Sequence, residues 1–360
     1  MKKRSIFDVD WELIIPVIVL AILSLTTLFS IDVSLFRSQF IFFIVGISAF
    51  LFFSQTNYKT VKLYALPIYV ISIALLVVVL IIGVETRGSV RWLDFFGFGV
   101  QFSEILKPFL AISLSAYLSS RNNYSLKTLF LATCFLAPIV FLVFLQPDLG
   151  NALIYVLVAV IAFIVFGFPF RYFFSELILL LILSPILWKF LHDYQKQRIL
   201  TFLYPNNDPL GLSYNAIQAV IAVGSGMLFG RGLGLGTQSG LRFLPERHTD
   251  FIFATLSEEL GLIGGVLVIT AFAFMLYRIF TIFREQDELF GKIFSSIAFS
   301  IIFLQFFVNI GMNIGMLPIV GITLPFVSYG GSSLLSSLIL LGILCSMSKD
   351  RSSHKVLEIK

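Results

Sequence analysis

The chain has 360 residues, of which 58% are hydrophobic and only 12% are charged. Soluble domains carry about a quarter charged residues, so this composition excludes a water-soluble globular protein. The net charge of +5 comes from basic residues that flank apolar runs, without a basic stripe interleaved with aromatic residues, and this pattern excludes a nucleic-acid-binding protein.

Ten apolar runs are long enough to cross a bilayer, which takes about 17–25 residues of helix. They cover residues 13–30, 38–54, 63–83, 103–119, 128–145, 151–168, 172–190, 251–277, 293–312 and 331–348. Backbone groups find no partners in lipid, so each run is expected to be helical. The sequence therefore predicts an all-α integral membrane protein, with residues 1–360 forming one polytopic domain. The first run follows a basic N-terminus but lacks a small-residue cleavage site after it, which predicts an uncleaved anchor.

The positions of Lys and Arg predict that both termini are cytoplasmic, because short cytoplasmic loops are enriched in these residues. The short loops of the opposite side carry only Arg37, Arg87 and Arg91. The basic residues assigned to the cytoplasmic side are Lys2, Lys3, Arg4, Lys59, Lys62, Arg121, Lys127, Arg171, Arg278, Arg284, Lys292, Lys349, Arg351, Lys355 and Lys360.

One long loop, residues 191–250, faces outward between spans 7 and 8 in this topology. Loops beyond about 15 residues are usually functional or disordered. Residues 216–228 are apolar enough to lie on the membrane or dip into it. The segment Gly230-Arg-Gly-Leu-Gly-Leu-Gly236 that follows has two interpretations. It forms either a nest of backbone N–H groups for phosphate or a turn that packs closely against helices.

Polar residues gather at the outer ends of the predicted spans, and such residues at membrane depth tend to mark function. The candidates for a site are, in chain order, Arg91, Glu104, Lys107, Asp148, Arg198, Glu246, Arg247, His248, Asp250 and Asn309. His248 has no partner at metal-ligand spacing, so a zinc site is not predicted. Glu258 and Glu259 lie within span 8 and are expected to face the bundle interior or a water-filled cavity.

Three of these positions also have a purely structural interpretation. Glu104 and Lys107 are three residues apart, the spacing of an intrahelical ion pair. Asp148 precedes span 6 and is suited to cap it. Asp250 precedes span 8, where the free N–H groups and the helix dipole favour an acid. From these residues alone, a cap is the favoured interpretation of Asp250.

Two long motifs resemble those of the SEDS (shape, elongation, division and sporulation) family of peptidoglycan glycosyltransferases. Residues 236–253, with Pro-Glu-Arg-His-Thr-Asp at 245–250, are similar to the family's long-loop motif, and residues 309–333 are similar to its signature before the last span. Shorter strings at 87–92, 146–150 and 194–198 occur in the family's order. One departure is Phe102, in Gln-Phe-Ser-Glu, where the family usually has proline. Thr-Gln-Ser and Pro-Glu-Arg-His favour the elongation branch over the division branch.

The resemblance implies that the chain polymerises lipid II into glycan strands at the outer face of a bacterial cytoplasmic (inner) membrane. It implies a class B penicillin-binding protein as the crosslinking partner and places the family's catalytic aspartate at Asp250. It also adds Ser328 and Ser332 of the second motif to the substrate-binding candidates.

A mechanism follows as a hypothesis. Asp250 removes the proton of the acceptor sugar's 4-hydroxyl, which attacks the anomeric carbon of the donor. The leaving pyrophosphate requires cations, for which Arg91, Lys107, Arg198 and Arg247 are the candidates. The same charge argument predicts a Mg²⁺ or Mn²⁺ ion held by a carboxylate and the pyrophosphate.

Two other functions fit a polytopic protein of this kind. A flippase for lipid-linked precursors would be expected to show internal repeats, broken helices and charges near the bilayer midplane. A scaffold for a cell-wall complex would tolerate changes in the polar cluster. The sequence shows no internal repeat, and its ionisable residues lie mostly at the outer surface. The enzyme is therefore the favoured prediction.

Overall fold

Helices dominate the computed structural model, which describes residues 9–86, 89–95, 98–190, 193–204, 213–241 and 243–358. The helices are α1 Trp11–Ile31, α2 Val33–Gln55, α3 Tyr58–Leu63, α4 Ala65–Ile82, α5 Phe102–Ile105, α6 Lys107–Ser119, α7 Leu126–Leu145, α8 Leu149–Phe166, α9 Phe170–Phe190, α10 Asp193–Leu203, α11 Tyr214–Ser225, α12 Thr237–Gly240, α13 Ile252–Glu285, α14 Leu289–Asn313 and α15 Gly331–Glu358. The strands are β1 Val84–Thr86, β2 Ser89–Phe95 and β3 Phe98–Gln101. The predicted basic residues Lys2, Lys3, Arg4, Arg87 and Lys360 lie outside the described residues.

Within the described residues, eight helices are long and apolar enough to cross a membrane, and each coincides with a predicted span. They are α1, α2, α4, α7, α8, α13, α14 and the part of α15 up to Lys349. Predicted span 172–190 coincides with α9, which has 21 residues. The predicted span 103–119 is covered by α5 and α6, with Leu106, whose backbone angles are right-handed helical, between them. Pro108 lacks an N–H group, so the helical hydrogen-bond pattern loses one bond at this point.

A small antiparallel sheet, in the order β1-β2-β3, follows α4. The sequence predicts a loop for this segment, and the all-α prediction therefore omits the sheet. Leu93 pairs with Val100 and Trp92 with Gln101 in the second hairpin. The hairpin matters for the site because it carries Arg91 on β2 and leads through β3 directly into α5.

The two ends of the described chain meet at one end of the helix bundle. The Asp10 carboxylate, just before α1, accepts hydrogen bonds from Arg278 Nη2 near the end of α13 (2.6 Å) and from Ser348 Oγ in α15 (2.9 Å). The start of α1, the last turns of α13 and Ser348 of α15 therefore lie together at one end of the bundle, and the cytoplasmic position of the termini stays a prediction.

The long loop folds back into the bundle, where α11 packs against α13. Helix α13 is broken at Gly261, whose φ of 68° and ψ of −162° are not helical. Residues 226–232 fill the break: Arg231 N–H donates to Glu258 O (2.9 Å), Gly232 N–H to Glu259 O (3.0 Å), and Leu262 N–H to Met227 O (2.9 Å). Non-helical backbone at membrane depth is stable only when its polar groups are satisfied in this way.

The two acids of α13 face the bundle interior, as predicted. Glu259 accepts hydrogen bonds from Ser30 Oγ of α1 (2.7 Å) and from Gly234 N–H (3.0 Å). Glu258 accepts from the N–H groups of Gln238 and Ser239, each at 2.8 Å, and so anchors the first turn of α12. Both carboxylates are therefore used to fasten the long loop to the membrane helices.

The glycines of this loop serve close packing, which confirms the second of their two interpretations. A side chain at Gly226 or Gly230 would collide with the backbone of Ser257 or Glu259. The N–H groups of residues 231, 232 and 234 are bound to oxygens of α13, so their donors are not directed at a phosphate.

Replacing Gly230 by Ala is expected to destabilise the protein by about 2 kcal/mol or more, because the new methyl group meets Glu259 O and the φ of 82° disfavours any L side chain. The thermal unfolding midpoint in detergent measures this effect. Gly224→Ala is the matched control, since a methyl group at Gly224 in α11 meets no described atom within 4 Å. Equal midpoints for the two variants would contradict the packing role of Gly230.

Candidate active site

Asp250 lies immediately before α13 in a run of turns whose backbone is fixed from other segments. Each carbonyl oxygen of residues 247–250 accepts a hydrogen bond: Arg247 from Thr255 Oγ1 (3.1 Å), His248 from Tyr329 N–H (2.8 Å), Thr249 from Ser328 Oγ (2.7 Å), and Asp250 from the Nδ2 atoms of Asn309 (3.1 Å) and Asn313 (3.0 Å). Four of these five donors belong to residues 309–329. The second motif therefore holds the backbone of the first.

Asp250 directly precedes Phe251, which occupies the N-cap position of α13 and has no hydrogen-bonding group in its side chain. The cap interpretation of Asp250 stays an alternative. The free N–H of Ala254 in the first turn instead donates to Asn313 Oδ1 (3.1 Å). The Asp250 side chain is partly exposed, and a methyl group added to Gly321 would lie 3.5 Å from its Oδ2.

Asp148 is buried at the start of α8 and is bound by several donors. Its Oδ2 accepts from Gln101 Nε2 (2.7 Å), Ser103 Oγ (2.9 Å) and Asn151 Nδ2 (2.9 Å), and its Oδ1 accepts from Asn151 N–H (3.2 Å). The capping interpretation of Asp148 is thus confirmed. Arg91 Nη1 lies 3.9 Å from Oδ1, so β2 brings one cation to this acid.

Residues 320–322 form a short segment that lies near both Asp148 and Asp250. A methyl group on Gly150, two residues after Asp148, would lie 3.0 Å from Ile322 Cγ1. Gly321, in the middle of the segment, borders the Asp250 carboxylate. The candidate site therefore extends from Arg91 and Asp148 across this segment to Asp250.

Glu104 and Lys107 form the expected ion pair, with Nζ 2.7 Å from Oε1. Both side chains are almost fully buried, at 4% and 1% exposure for the two residues. Gln305 Nε2 of α14 donates to the second carboxylate oxygen of Glu104 (3.3 Å). The pair thereby connects the interrupted fourth span to α14, and a direct role in substrate binding stays a prediction.

The remaining candidates fall into two groups. Asn309, Ser328 and Ser332 are buried and bond to the backbone; Ser332 Oγ, for example, accepts from Gln101 N–H (2.9 Å). Glu246 and His248 are partly exposed and line a cavity of about 260 Å³ together with Arg247.

Two further candidate cations, Arg247 and Arg198, lie in different segments of the long loop. The Arg247 guanidinium donates to Ser239 O at the end of α12. Arg198 lies exposed on α10, and its contact with substrate stays a prediction.

Three residues of the site did not enter the predicted set: Gln101, Ser103 and Asn151. The sequence places Asn313, like Asn309, near the outer end of its span. Asn151 follows Asp148 by three residues, a spacing that puts two side chains on one helix face. Gln101 and Ser103 lie within the Gln-Phe-Ser-Glu string. Their approach to Asp148 depends on the packing of α5 against α8, and no local pattern shows that packing.

Metal binding was also considered. Among the described residues, no group of three or more His, Cys, Asp or Glu side chains is placed to hold a metal ion. Asp148 is already bound by four donors within the protein. The divalent cation stays a prediction.

Comparison with known proteins gives a consistent result. The model of the FtsW/RodA/SpoVE cell cycle protein family matches residues 6–353. The peptidoglycan glycosyltransferase MrdB of Escherichia coli K12 is 36% identical over 309 residues, covering 85% of this chain and 84% of the relative. The stage V sporulation protein E of Bacillus subtilis is 35% identical over 324 residues, covering 87% and 86%.

Solved structures show the same architecture. A structure described as a peptidoglycan synthase complex that coordinates polymerisation and crosslinking aligns with a TM-score of 0.83 at 29% identity, covering 95% of this chain and 98% of the other. The rod shape determining protein RodA of Thermus thermophilus aligns with a TM-score of 0.72 at 27% identity, covering 95% and 97%. The chain belongs to the FtsW/RodA/SpoVE family, the SEDS family that its two long motifs indicated.

Proposed function

We propose that the chain is a peptidoglycan glycosyltransferase that polymerises lipid II at the outer face of the bacterial cytoplasmic (inner) membrane during cell elongation. Two kinds of finding support this function. Relatives at 34–36% identity carry the name peptidoglycan glycosyltransferase. The single observation that carries the proposal is the fixed backbone of residues 247–250, which presents one partly exposed carboxylate, Asp250, beside a cluster with a cation.

In the proposed reaction, Asp250 accepts the proton of the acceptor sugar's 4-hydroxyl as that oxygen attacks the anomeric carbon of the donor. The new glycosidic bond forms, the bond to undecaprenyl pyrophosphate breaks, and the pyrophosphate takes both electrons of that bond. General bases of this kind contribute about 10²–10⁴-fold to rate. A backbone fixed at four consecutive carbonyls keeps the base oriented, which is the part of catalysis that positioning supplies.

Arg91 is the best-placed cation for the leaving pyrophosphate. Its Nη1 faces Asp148, while its Nε is buried and has no hydrogen-bond partner among the described residues. A guanidinium binds phosphate through two parallel N–H groups, and the Arg91 side chain is 30% exposed. Lys107, in contrast, is neutralised by Glu104 in a buried pair.

The proposed partner is a class B penicillin-binding protein that crosslinks the new strand. The solved complex similar to this chain couples polymerisation to crosslinking. The apolar faces of the membrane helices are broadly exposed in the isolated chain, as expected for surfaces that contact lipid or a partner helix.

One observation bears on the flippase alternative, since broken helices are common in transporters. Helix α13 is broken at Gly261, but residues 226–232 consume the freed backbone groups through hydrogen bonds. In transporters, the backbone groups at a helix break coordinate the substrate or the coupling ion. The break therefore does not favour transport.

The test uses the purified protein with its penicillin-binding partner, labelled lipid II and a gel that resolves glycan strands. We expect strands that a muramidase digests. In parallel, liposomes that contain the protein and fluorescent lipid II measure transbilayer movement. Movement without polymer, in conditions where a known SEDS enzyme polymerises, would replace the proposed function by the flippase.

A further inference from the structure

We propose that Asn313 is a positioning residue for the general base, acting as a helix cap supplied from another helix. This inference rests on the proposed function of Asp250. Asn313 is the last residue of α14 and is fully buried. Its Nδ2 donates to Asp250 O (3.0 Å) and to Asn309 O (2.7 Å), while its Oδ1 accepts from Ala254 N–H (3.1 Å).

One of the three groups that Asn313 binds, Ala254 N–H, is a donor that the helix itself leaves unsatisfied at the start of α13. The first N–H groups of a helix have no partner within the helix. Ala254 is the third residue of α13, and the N–H at that position is the usual target of a capping side chain. Phe251, at the N-cap position, has no group to supply. A residue from α14 therefore replaces the local cap.

A carboxamide is the side chain that fits this position. It presents a donor and an acceptor side by side in one plane. Aspartate would keep the acceptor for Ala254 but lose both donated bonds, and its charge would face the Asp250 carbonyl oxygen. Leucine would lose all three bonds. The geometry thus requires Asn and makes even an isosteric change costly.

The bonds of Asn313 to Asp250 O and to Ala254 N–H fix the backbone on both sides of Phe251. This backbone carries the Asp250 side chain. The peptide unit after Asp250 cannot rotate without breaking the bond to Asn313. Asn309 donates to the same carbonyl (3.1 Å) and to Ile322 O (2.7 Å), so the base is also held relative to the 320–322 segment that it faces. A misplacement of about 1 Å can lower a rate by about 10²-fold.

Steady-state polymerisation by the complex with its penicillin-binding partner tests the inference. For Asn313→Asp we expect kcat to fall by about 10²-fold and KM for lipid II to change by less than about twofold, since substrate binding would be intact. Asn313→Gln, which keeps the carboxamide one methylene further out, is expected to lie between this variant and the wild type. The matched control is Ser300→Ala, a buried polar residue of α14 that bonds only to its own helix at Ser296 O (2.7 Å).

The outcomes separate the inference from the proposed function. If the wild type makes no polymer, the proposed function fails. If the wild type polymerises and Asn313→Asp retains its kcat, the positioning role is wrong. The role is also wrong if kcat in the two Asn313 variants simply follows the thermal midpoint, or if kcat falls together with a rise in KM, because either result indicates a general loss of structure. If Asn313→Asp does not fold, the Asn313→Gln variant decides by the same criteria.

Discussion

Asp250→Asn is expected to lower glycan polymerisation by about 10²–10⁴-fold, the range attributed to a general base. The substitution keeps the size of the side chain and removes its negative charge together with its ability to take a proton. The backbone of residues 247–250 is held through its carbonyl oxygens, so the variant should fold and bind its partner as the wild type does. Labelled lipid II and a strand-resolving gel give the rate, and a thermal midpoint in detergent gives the folding control.

Asp94→Asn provides the matched control for this experiment. Asp94 lies exposed on β2, pairs with Gly99 across the outer sheet, and undergoes the same chemical change. Its polymerisation rate is expected to match the wild type. Should Asp250→Asn polymerise as fast as Asp94→Asn, Asp250 is not the base, and the acids to test next are Glu246, Glu104 and Asp148.

Lys107→Met is expected to destabilise the protein by about 3–5 kcal/mol, the usual loss when one partner of a buried ion pair is removed. The substitution leaves the Glu104 carboxylate in the bundle with only Gln305 as a donor. A clear drop in the thermal midpoint in detergent checks this prediction. A midpoint equal to that of the wild type would show that the pair does not hold charge in a low-dielectric interior.

The double variant Glu104→Gln with Lys107→Met separates the structural role of the pair from a role in substrate binding. Replacement of both charges is often close to neutral for stability, so the double variant should regain most of the lost midpoint. If it also regains polymerisation, the pair is structural. If it is stable and inactive, Lys107 acts on the substrate, as the charge argument for pyrophosphate predicts.

The membrane spans were predictable because hydropathy and length act locally. A run of about 20 apolar residues has only one stable form in lipid, and eight of the predicted runs coincide with long apolar helices. The Asp148 cap and the Glu104–Lys107 pair were also among the predicted alternatives, since both depend on a spacing of three residues along the chain. Interactions of this range are visible in a sequence.

The break in α13 could not be predicted in the same way. A helix of 34 residues with a Gly-rich middle is indistinguishable from a continuous span until residues 226–232 supply the partners for its freed backbone groups. Those partners come from a loop about 30 positions earlier in the chain. The same holds for the outer sheet, whose short strands are stable only when paired.

By itself, the sequence determined that this protein lies in a membrane, that its fold is built mainly from helices, and that its polar residues gather at one end of the bundle. Only the tertiary structure decided what each polar residue does there. It confirmed Asp148 as a cap, placed Asp250 one residue before the N-cap position of α13, and revealed Asn313 as the residue that accepts a hydrogen bond from Ala254 N–H at the start of α13. The physical reason is that hydropathy and helical period extend over a few neighbouring residues. A hydrogen bond between α14 and α13 exists only after those helices have packed.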